Sequence, residues 1–387
     1  MSEKVVITGG GAIGCSIAYF LSQQKKAGRE IVVIERDPAY QRASSALSAS
    51  SIRQQFSTPI CIQLSQFGYD FFRFCEEQKS TLGYGVDLVD CGYLFLGNSD
   101  QEAALRRRSE LARSLGVKLA EYTVHELKER YPWLNADGLA YAVEGVGGEG
   151  WFDGYSVMQW FRKRAREAGV KFISGETIRY RTAGDRISHA ELSDGQAIAG
   201  DVFVNAAGAW CAPLGSTVGV DLPVRPRRRS AFVVSSPTAI PDLPILIDTS
   251  GVYLRREQNH FLCLVSPSPE QDLDDLPLDA NFAEFEEVIW PALAERIPAF
   301  EALRVEHTWA GYYEYNVVDH NGIVGQSGPE NSFIAAGFSG HGMMHSPGVG
   351  RAMAELLTFG EYRTLDLSPL SPDRLMTGNL IVEEGVY

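Results

Sequence analysis

The chain has 387 residues, more than one hydrophobic core organises comfortably, so two domains are expected. Its net charge of −14 argues against nucleic acid as a partner, because phosphate binding needs clustered Lys and Arg. No run of about 20 apolar residues suggests a transmembrane segment. The start, Met1-Ser2-Glu3-Lys4, lacks the pattern of a signal peptide, and six cysteines are scattered without a Cys-x-x-Cys pair. The expectation is a cytoplasmic protein with reduced thiols and no metal site.

Val5-Val6-Ile7 reads as a buried parallel strand, and Gly9, Gly11 and Gly14 follow it. From Ala12 to about Gln24 the apolar spacing turns helical, and Glu30 to Glu35 reads as a second strand ending in an acid. Gly9 suits a tight turn, Gly11 a close backbone approach to a pyrophosphate, and Gly14 close packing of helix on strand. The helix N-terminus at Ala12 and Ile13 offers N–H groups to phosphate oxygens. Glu35 stands about 20 residues beyond Gly14, where a carboxylate accepts from ribose hydroxyls. A 2′-phosphate would oppose it, so the motif disfavours NADP and leaves NAD and FAD open.

A small, hydroxyl-rich stretch follows at residues 43–53. Helices are expected at about 58–77, 100–116, 123–130, 155–168 and 282–297, and a strand at 92–96. Gly169 to Ile173 reads as a strand, Asp194-Gly195 as a hairpin turn, and 199–210 as a buried strand with a small-residue turn. Residues 229–265 alternate as an antiparallel sheet does, and Arg227-Arg228-Arg229 reads as a solvated charged turn or as a basic patch for a substrate, a partner or the flavin phosphate. Asn331 to Gly337 is a late strand that leads through Phe338-Ser339-Gly340-His341-Gly342 to a helix expected from about Gly348 to Leu357. Nucleotide-binding strands thus open the chain, reappear in its middle and close it. The expected fold is α/β: a discontinuous Rossmann-type cofactor domain (1–84, 145–225 and 312–387) plus an antiparallel-sheet substrate domain with helices (85–144 and 226–311).

Four blocks together are more specific than the first motif: GGGAIG with Glu35, SIRQQFS at 51–57, VNAAGAW at 204–210 and GFSGHGMMHSPGVGRAMAELL at 337–357. On these the chain resembles the D-amino-acid-oxidase-like FAD family, which includes glycine oxidase, sarcosine oxidase and dimethylglycine dehydrogenase. WAGYYEYNVVDHNGIVG at 309–325 and DLSPL at 366–370 are similar to its FAD-dependent oxidoreductase domain-containing branch, which includes a mitochondrial assembly protein for respiratory complex I. The resemblance implies FAD and oxidation of a C–N bond by hydride transfer to the flavin. It implies cofactor contacts at Arg36, Ser44, Ser45, Ser51 and the backbone of Val170, at Ala207, Gly208 and Trp210, and at Gly340, His341, Gly342, Met343 and Met344. Arg53 matches an arginine that holds a substrate carboxylate, and a guanidinium suits that task by its paired donors. His341 is the histidine at a motif position, facing flavin or substrate.

The departures from the family pattern also inform. Where sarcosine oxidase completes its carboxylate site with a lysine, Met344 stands, and where glycine oxidase has an arginine after Trp-Ala-Gly, Tyr313 stands. The pocket is less cationic than in either relative, with Tyr253, Tyr313 and Met344 as expected walls. The last lysine is Lys171, so the lysine that assists oxygen in sarcosine oxidase has no counterpart, which favours a dehydrogenase over a fast oxidase. Gly311 and Tyr312 occupy the region of the tethering cysteine, and residues 44–53 hold no histidine, so FAD is expected to bind non-covalently. The expected substrate is an amino acid or N-substituted amino acid, with the electron acceptor left open. Alternatives are a 2-hydroxy-acid dehydrogenase, a flavin-bearing assembly factor, or one subunit of a hetero-oligomeric dehydrogenase with partner subunits.

Overall fold

Two large sheets organise the chain in the computed structural model, which describes residues 3–24 and 28–385. The first has six strands in the order Ile323–Gln326, Ser332–Ala336, Val202–Asn205, Lys4–Thr8 (β1), Glu30–Glu35 (β2) and Lys171–Ser174. Neighbours run parallel except for the edge pair Ile323–Gln326 and Ser332–Ala336. This is the Rossmann-type sheet that the β-branched run at the start anticipates.

A central parallel strand must bury both faces, and β1 does so with alternate residues. Val5 and Ile7 pack with Ile13, Ile17 and Leu21 of the helix Ala12–Gln23 (α1). Val6, with Val32 and Phe203, packs instead against Tyr180, Ile187 and Leu192. Those residues belong to a three-stranded meander over Thr177–Ala199, whose turn contains Asp194-Gly195.

The second sheet has eight strands: Arg304–Asn316, Val224–Ser235, His260–Leu264, Tyr253–Glu257, Ile245–Ile247, Tyr93–Gly97, Tyr141–Gly145 and Leu119–Tyr122. All eight come from or overlap the segments assigned to the substrate side, and Arg304–Asn316 runs on past residue 311. The sheet is not purely antiparallel, because Ile245–Ile247 pairs parallel with Tyr93–Gly97. A parallel pair needs a long crossover, and here the chain between the two strands travels through the first sheet and back.

Three local expectations need correction. Arg227-Arg228-Arg229 is no turn: it lies inside the 12-residue strand Val224–Ser235, paired along its length with Arg304–Asn316. The arginines are tolerated there because Arg227 and Arg229, two residues apart on one face, pair with Asp274 and Asp272. The helix near 282–297 is not regular, since its hydrogen-bond ladder widens to a π stretch at Phe285–Ile289 just before Pro291, which has no N–H to give. The late helix starts at Gly342, six residues earlier than the sequence pattern indicates. Among the described residues no helix is long and apolar enough to cross a membrane, and no group of three His, Cys, Asp or Glu is arranged to hold a metal.

Candidate active site

The turn after β1 is shaped by steric exclusion. Gly9 has φ +102°, and a Cβ there would lie 2.2 Å from the Ala206 carbonyl oxygen. A Cβ at Gly14 would lie 1.9 Å from the Gly9 oxygen, so α1 rests directly on the turn. Gly11 is the N-cap of α1, and the Ala12 N–H donates to Ser45 Oγ at 2.9 Å. The Glu35 carboxylate accepts from the N–H of Gly10 at 2.7 Å and of Asp37 at 2.8 Å. Burial raises its pKa against those two bonds.

These residues line a groove of about 920 Å³. Ala206, Ala207, Gly208 and Trp210 form its far wall, and the Arg36 guanidinium lies 3.6 Å over the Trp210 ring. The groove fits the adenosine diphosphate half of FAD: N–H groups at a helix start for phosphates, a carboxylate for ribose hydroxyls, and a glycine cradle between them. Val170 does not reach it. It sits one residue before Lys171–Ser174 in a different hollow with Leu21 and Ser22, while Gly175, Glu176 and Thr177 line the groove beyond that strand. Ligands sit outside the carboxyl ends of parallel strands, and Val170 is at the amino end.

A second cavity, of about 720 Å³, continues from the groove past Ser44 and Ser45 to Ala49, Gly311, Gly340, Gly342 and Met343. Gly340 has φ +90°, and a Cβ there would lie 2.4 Å from the Tyr313 ring. Because the helix Gly342–Phe359 begins at this loop, with His341 as its N-cap residue, its unpaired first-turn N–H groups stand beside the cavity. Pro347, Gly348 and Gly350 imitate a helix break in the sequence. In the structure, the Met343 carbonyl that lacks a Pro347 N–H accepts instead from Ser346 Oγ at 2.9 Å. Gly350 is needed for the crossing with α1, where a Cβ would lie 2.0 Å from Ser16 Oγ.

A third cavity, of about 530 Å³, opens from the second and shares Ala49, Leu264, Tyr313, Gly340 and Met343 with it. Arg53, Tyr253, Tyr313, His341 and Met344 all line it, together with Ser51, which faces this cavity and not the nucleotide groove. Arg53 is buried and its guanidinium stacks 3.8 Å over Phe56. It donates to the carbonyls of Gln55 and Gly385 and lies 3.1 Å from His341 Nε2. The Gly385 carbonyl is a further partner of the His341 imidazole. Burial, then the Arg53 charge, holds His341 well below the usual histidine range, so it is neutral at pH 7. The Tyr253 hydroxyl is buried, with the Ser51 side chain as its polar neighbour.

Tyr93 and Glu314 escaped the sequence reading, and Arg229 was read only as part of a charged run. Tyr93 faces the third cavity from the second sheet. Arg229 lines the second, bidentate to Asp272 at 2.7 and 3.2 Å and 5.0 Å from the Tyr313 ring centre. Glu314 lines both the groove and the second cavity. The alternation of Tyr313, Glu314 and Tyr315 was the available signal for Glu314, and the i,i+2 spacing of Arg227 and Arg229 for Arg229. No sequence signal pointed to Gly385.

A Rossmann-type groove opening into a ring-sized cavity at a helix N-terminus defines a flavoprotein oxidoreductase. The chain matches the FAD dependent oxidoreductase family (DAO) over residues 4–356 and belongs to it. It is 38% identical over 420 residues to FAD-dependent oxidoreductase domain-containing protein 1 of Xenopus laevis, covering 99% of this chain and 84% of that one. Mitochondrial dimethylglycine dehydrogenase of Rattus norvegicus is 26% identical over 96% of this chain and 44% of its own length. Among solved structures, L-proline dehydrogenase from P. horikoshii superposes with a TM-score of 0.83 at 26% identity, covering 98% and 99% of the two chains. Glycine oxidase from Geobacillus kaustophilus shares the fold with a TM-score of 0.81 at 23% identity. The protein is an FAD-dependent oxidoreductase.

Proposed function

We propose that this enzyme is a dehydrogenase that oxidises the C–N bond of an amino acid, with an N-substituted amino acid as the preferred class. The observation that carries the reading is the convergence of Arg53, His341, Tyr253, Tyr313 and Met344 on one cavity that opens onto the second. Flavin bound in the second cavity would supply a two-electron hydride acceptor for the substrate carbon as its C–N bond becomes C=N.

The chain's own groups prepare that step. Arg53, held by two carbonyls and the Phe56 ring, presents a fixed guanidinium to a carboxylate. His341 stays neutral, so it does not repel the amine, and the desolvated tyrosine wall favours the neutral amine whose lone pair must be free. N–H groups at the start of Gly342–Phe359 favour negative charge placed against them. The names of two relatives, dimethylglycine dehydrogenase and L-proline dehydrogenase, both specify amino acids with substituted nitrogen. No lysine follows Lys171, and the arginines on the second and third cavities are engaged by Asp272 and by backbone carbonyls, which supports slow reaction with oxygen. FAD is held without a covalent bond, with Gly311 and Tyr312 at the wall where a tether would stand. The segments 1–84, 145–225 and 312–387 serve the cofactor and the rest the substrate, a division that the two sheets support.

The test is an anaerobic screen for bleaching of bound flavin by amino acids, N-methyl and N-alkyl amino acids and 2-hydroxy acids. Bleaching by N-substituted amino acids, with faster turnover on an artificial acceptor than on oxygen, is the expected result. Bleaching by hydroxy acids alone, or by none of the set, overturns the reading.

A further inference from the structure

The nucleotide groove and the ring cavity share five lining residues: Ala12, Ile13, Ser44, Ser45 and Glu314. FAD joins its pyrophosphate to its ring through a hydroxylated ribityl chain, and that chain must cross the shared stretch. Its hydroxyls leave water there and need partners. Ala12 and Ile13 have no polar side chain, Ser45 Oγ already accepts from the Ala12 N–H, and Ser44 offers a single hydroxyl beside it. Glu314 is the one ionisable side chain in the shared wall.

The structure makes room for this carboxylate. Glu314 sits on the strand Arg304–Asn316, and its side chain points between two glycines. A Cβ at Gly342 would lie 3.0 Å from Oε1, and one at Gly208 would lie 3.7 Å from Oε2. Tyr313, its neighbour along the strand, faces Gly340 and Arg229 instead. Glu314 is half-buried, where the groove and the second cavity meet. Burial raises its pKa to about 7, while the N–H groups of Gly337 and Phe338 oppose the rise. Other titratable groups face it from several sides: the buried Cys211 thiol, Arg229 across the second cavity, and Glu35, Arg36, Asp37, Arg42 and Glu176 around the groove.

We propose that Glu314 binds the ribityl hydroxyls of FAD as a hydrogen-bond acceptor, a cofactor-holding role at the junction of the two cavities. An ionised carboxylate is the stronger acceptor, so FAD affinity should fall as the group is protonated.

Titrating deflavinated protein with FAD, and separately with ADP, tests this. ADP has the adenosine and pyrophosphate but no ribityl chain or ring. Glu314→Gln and Glu314→Ala are expected to weaken FAD binding by at least about tenfold at pH 8.5 while changing ADP affinity by less than about twofold, as loss of charge-assisted hydrogen bonds predicts. Wild-type FAD affinity is expected to fall between pH 8.5 and pH 6, and that of Glu314→Gln to stay level. Unchanged or tighter FAD binding by both variants overturns the proposal, and so does a parallel loss of ADP affinity or an unaltered pH profile in Glu314→Gln. Wild-type FAD binding is read in the same experiment, so failure of the Glu314 role stays distinct from the cofactor assignment.

Discussion

At Gly14 a single methyl group has nowhere to go, because the carbonyl oxygen it would meet belongs to Gly9 in the turn after β1. Gly14→Ala must push α1 off the turn, and the resulting overpacking costs about 3 kcal/mol. The expected outcome is a lower Tm and loss of FAD on gel filtration. A variant that keeps its flavin and its Tm would show that the turn yields more easily than the geometry implies. Glu149 carries a different constraint. It is fully buried, accepts from Gln55 Nε2 at 2.8 Å and from the Gln54 N–H, and burial pushes its carboxyl up to about 7. The folded pKa lies above the unfolded value, so the folded state binds the extra proton. Its stabilising share is complete below about pH 4 and is lost as pH rises through 7. Glu149→Gln, which cannot ionise, should therefore gain on wild type in denaturant stability between pH 5.5 and 8.5, on the order of 2 kcal/mol. A pH-independent difference between the two would exclude Glu149 as the titrating group.

The helix Gly342–Phe359 shows where local sequence rules mislead. Proline and two glycines within four residues signal a break, yet each has a partner that only the folded chain supplies: Ser346 for the Met343 carbonyl, Ser16 and Leu64 for the space beside Gly350 and Gly348. β1, α1 and β2 were legible because their evidence is short-range: β-branched runs, spaced glycines and one helical period. Arg229 was not, because a buried arginine inside a strand is explained only by Asp272, 43 residues away. The Ser346 arrangement is testable as a cycle. Ser346→Ala should cost about 1 kcal/mol, the value of one hydrogen bond to a buried carbonyl. Pro347→Ala restores an N–H to the same carbonyl, so Ser346→Ala should cost less in that background. Equal costs in the two backgrounds, by urea denaturation, would mean that the hydroxyl is not standing in for the missing N–H.

At the scale of the molecule, the segment Ile381–Gly385 ties the start of the helix Pro59–Glu77 to the third cavity. Glu383 is completely buried and accepts from the N–H and hydroxyl of Ser57 at 2.9 and 2.8 Å and of Thr58 at 3.0 and 2.7 Å. It thereby satisfies N–H groups at the helix entry and places negative charge at the positive end of the helix dipole. Two residues on, the Gly385 carbonyl receives the Arg53 guanidinium. These contacts join residues more than 320 positions apart, which is why Arg53 was legible as a motif residue while the partner that aims it was not. Removing the Glu383 carboxylate leaves five donors without their acceptor, the N–H of Gly385 among them, so Glu383→Ala should cost about 3 kcal/mol or more. Arg53 would then lose the fixed position of one partner. The enzyme that remains folded at low temperature should bind a carboxylate-bearing competitive inhibitor about tenfold more weakly, with binding of an uncharged amide analogue little changed. If both ligands keep wild-type affinity while stability falls, the segment fastens the helix and has no part in aiming Arg53. If the amide weakens equally, the whole cavity has relaxed and the guanidinium is not the group being held.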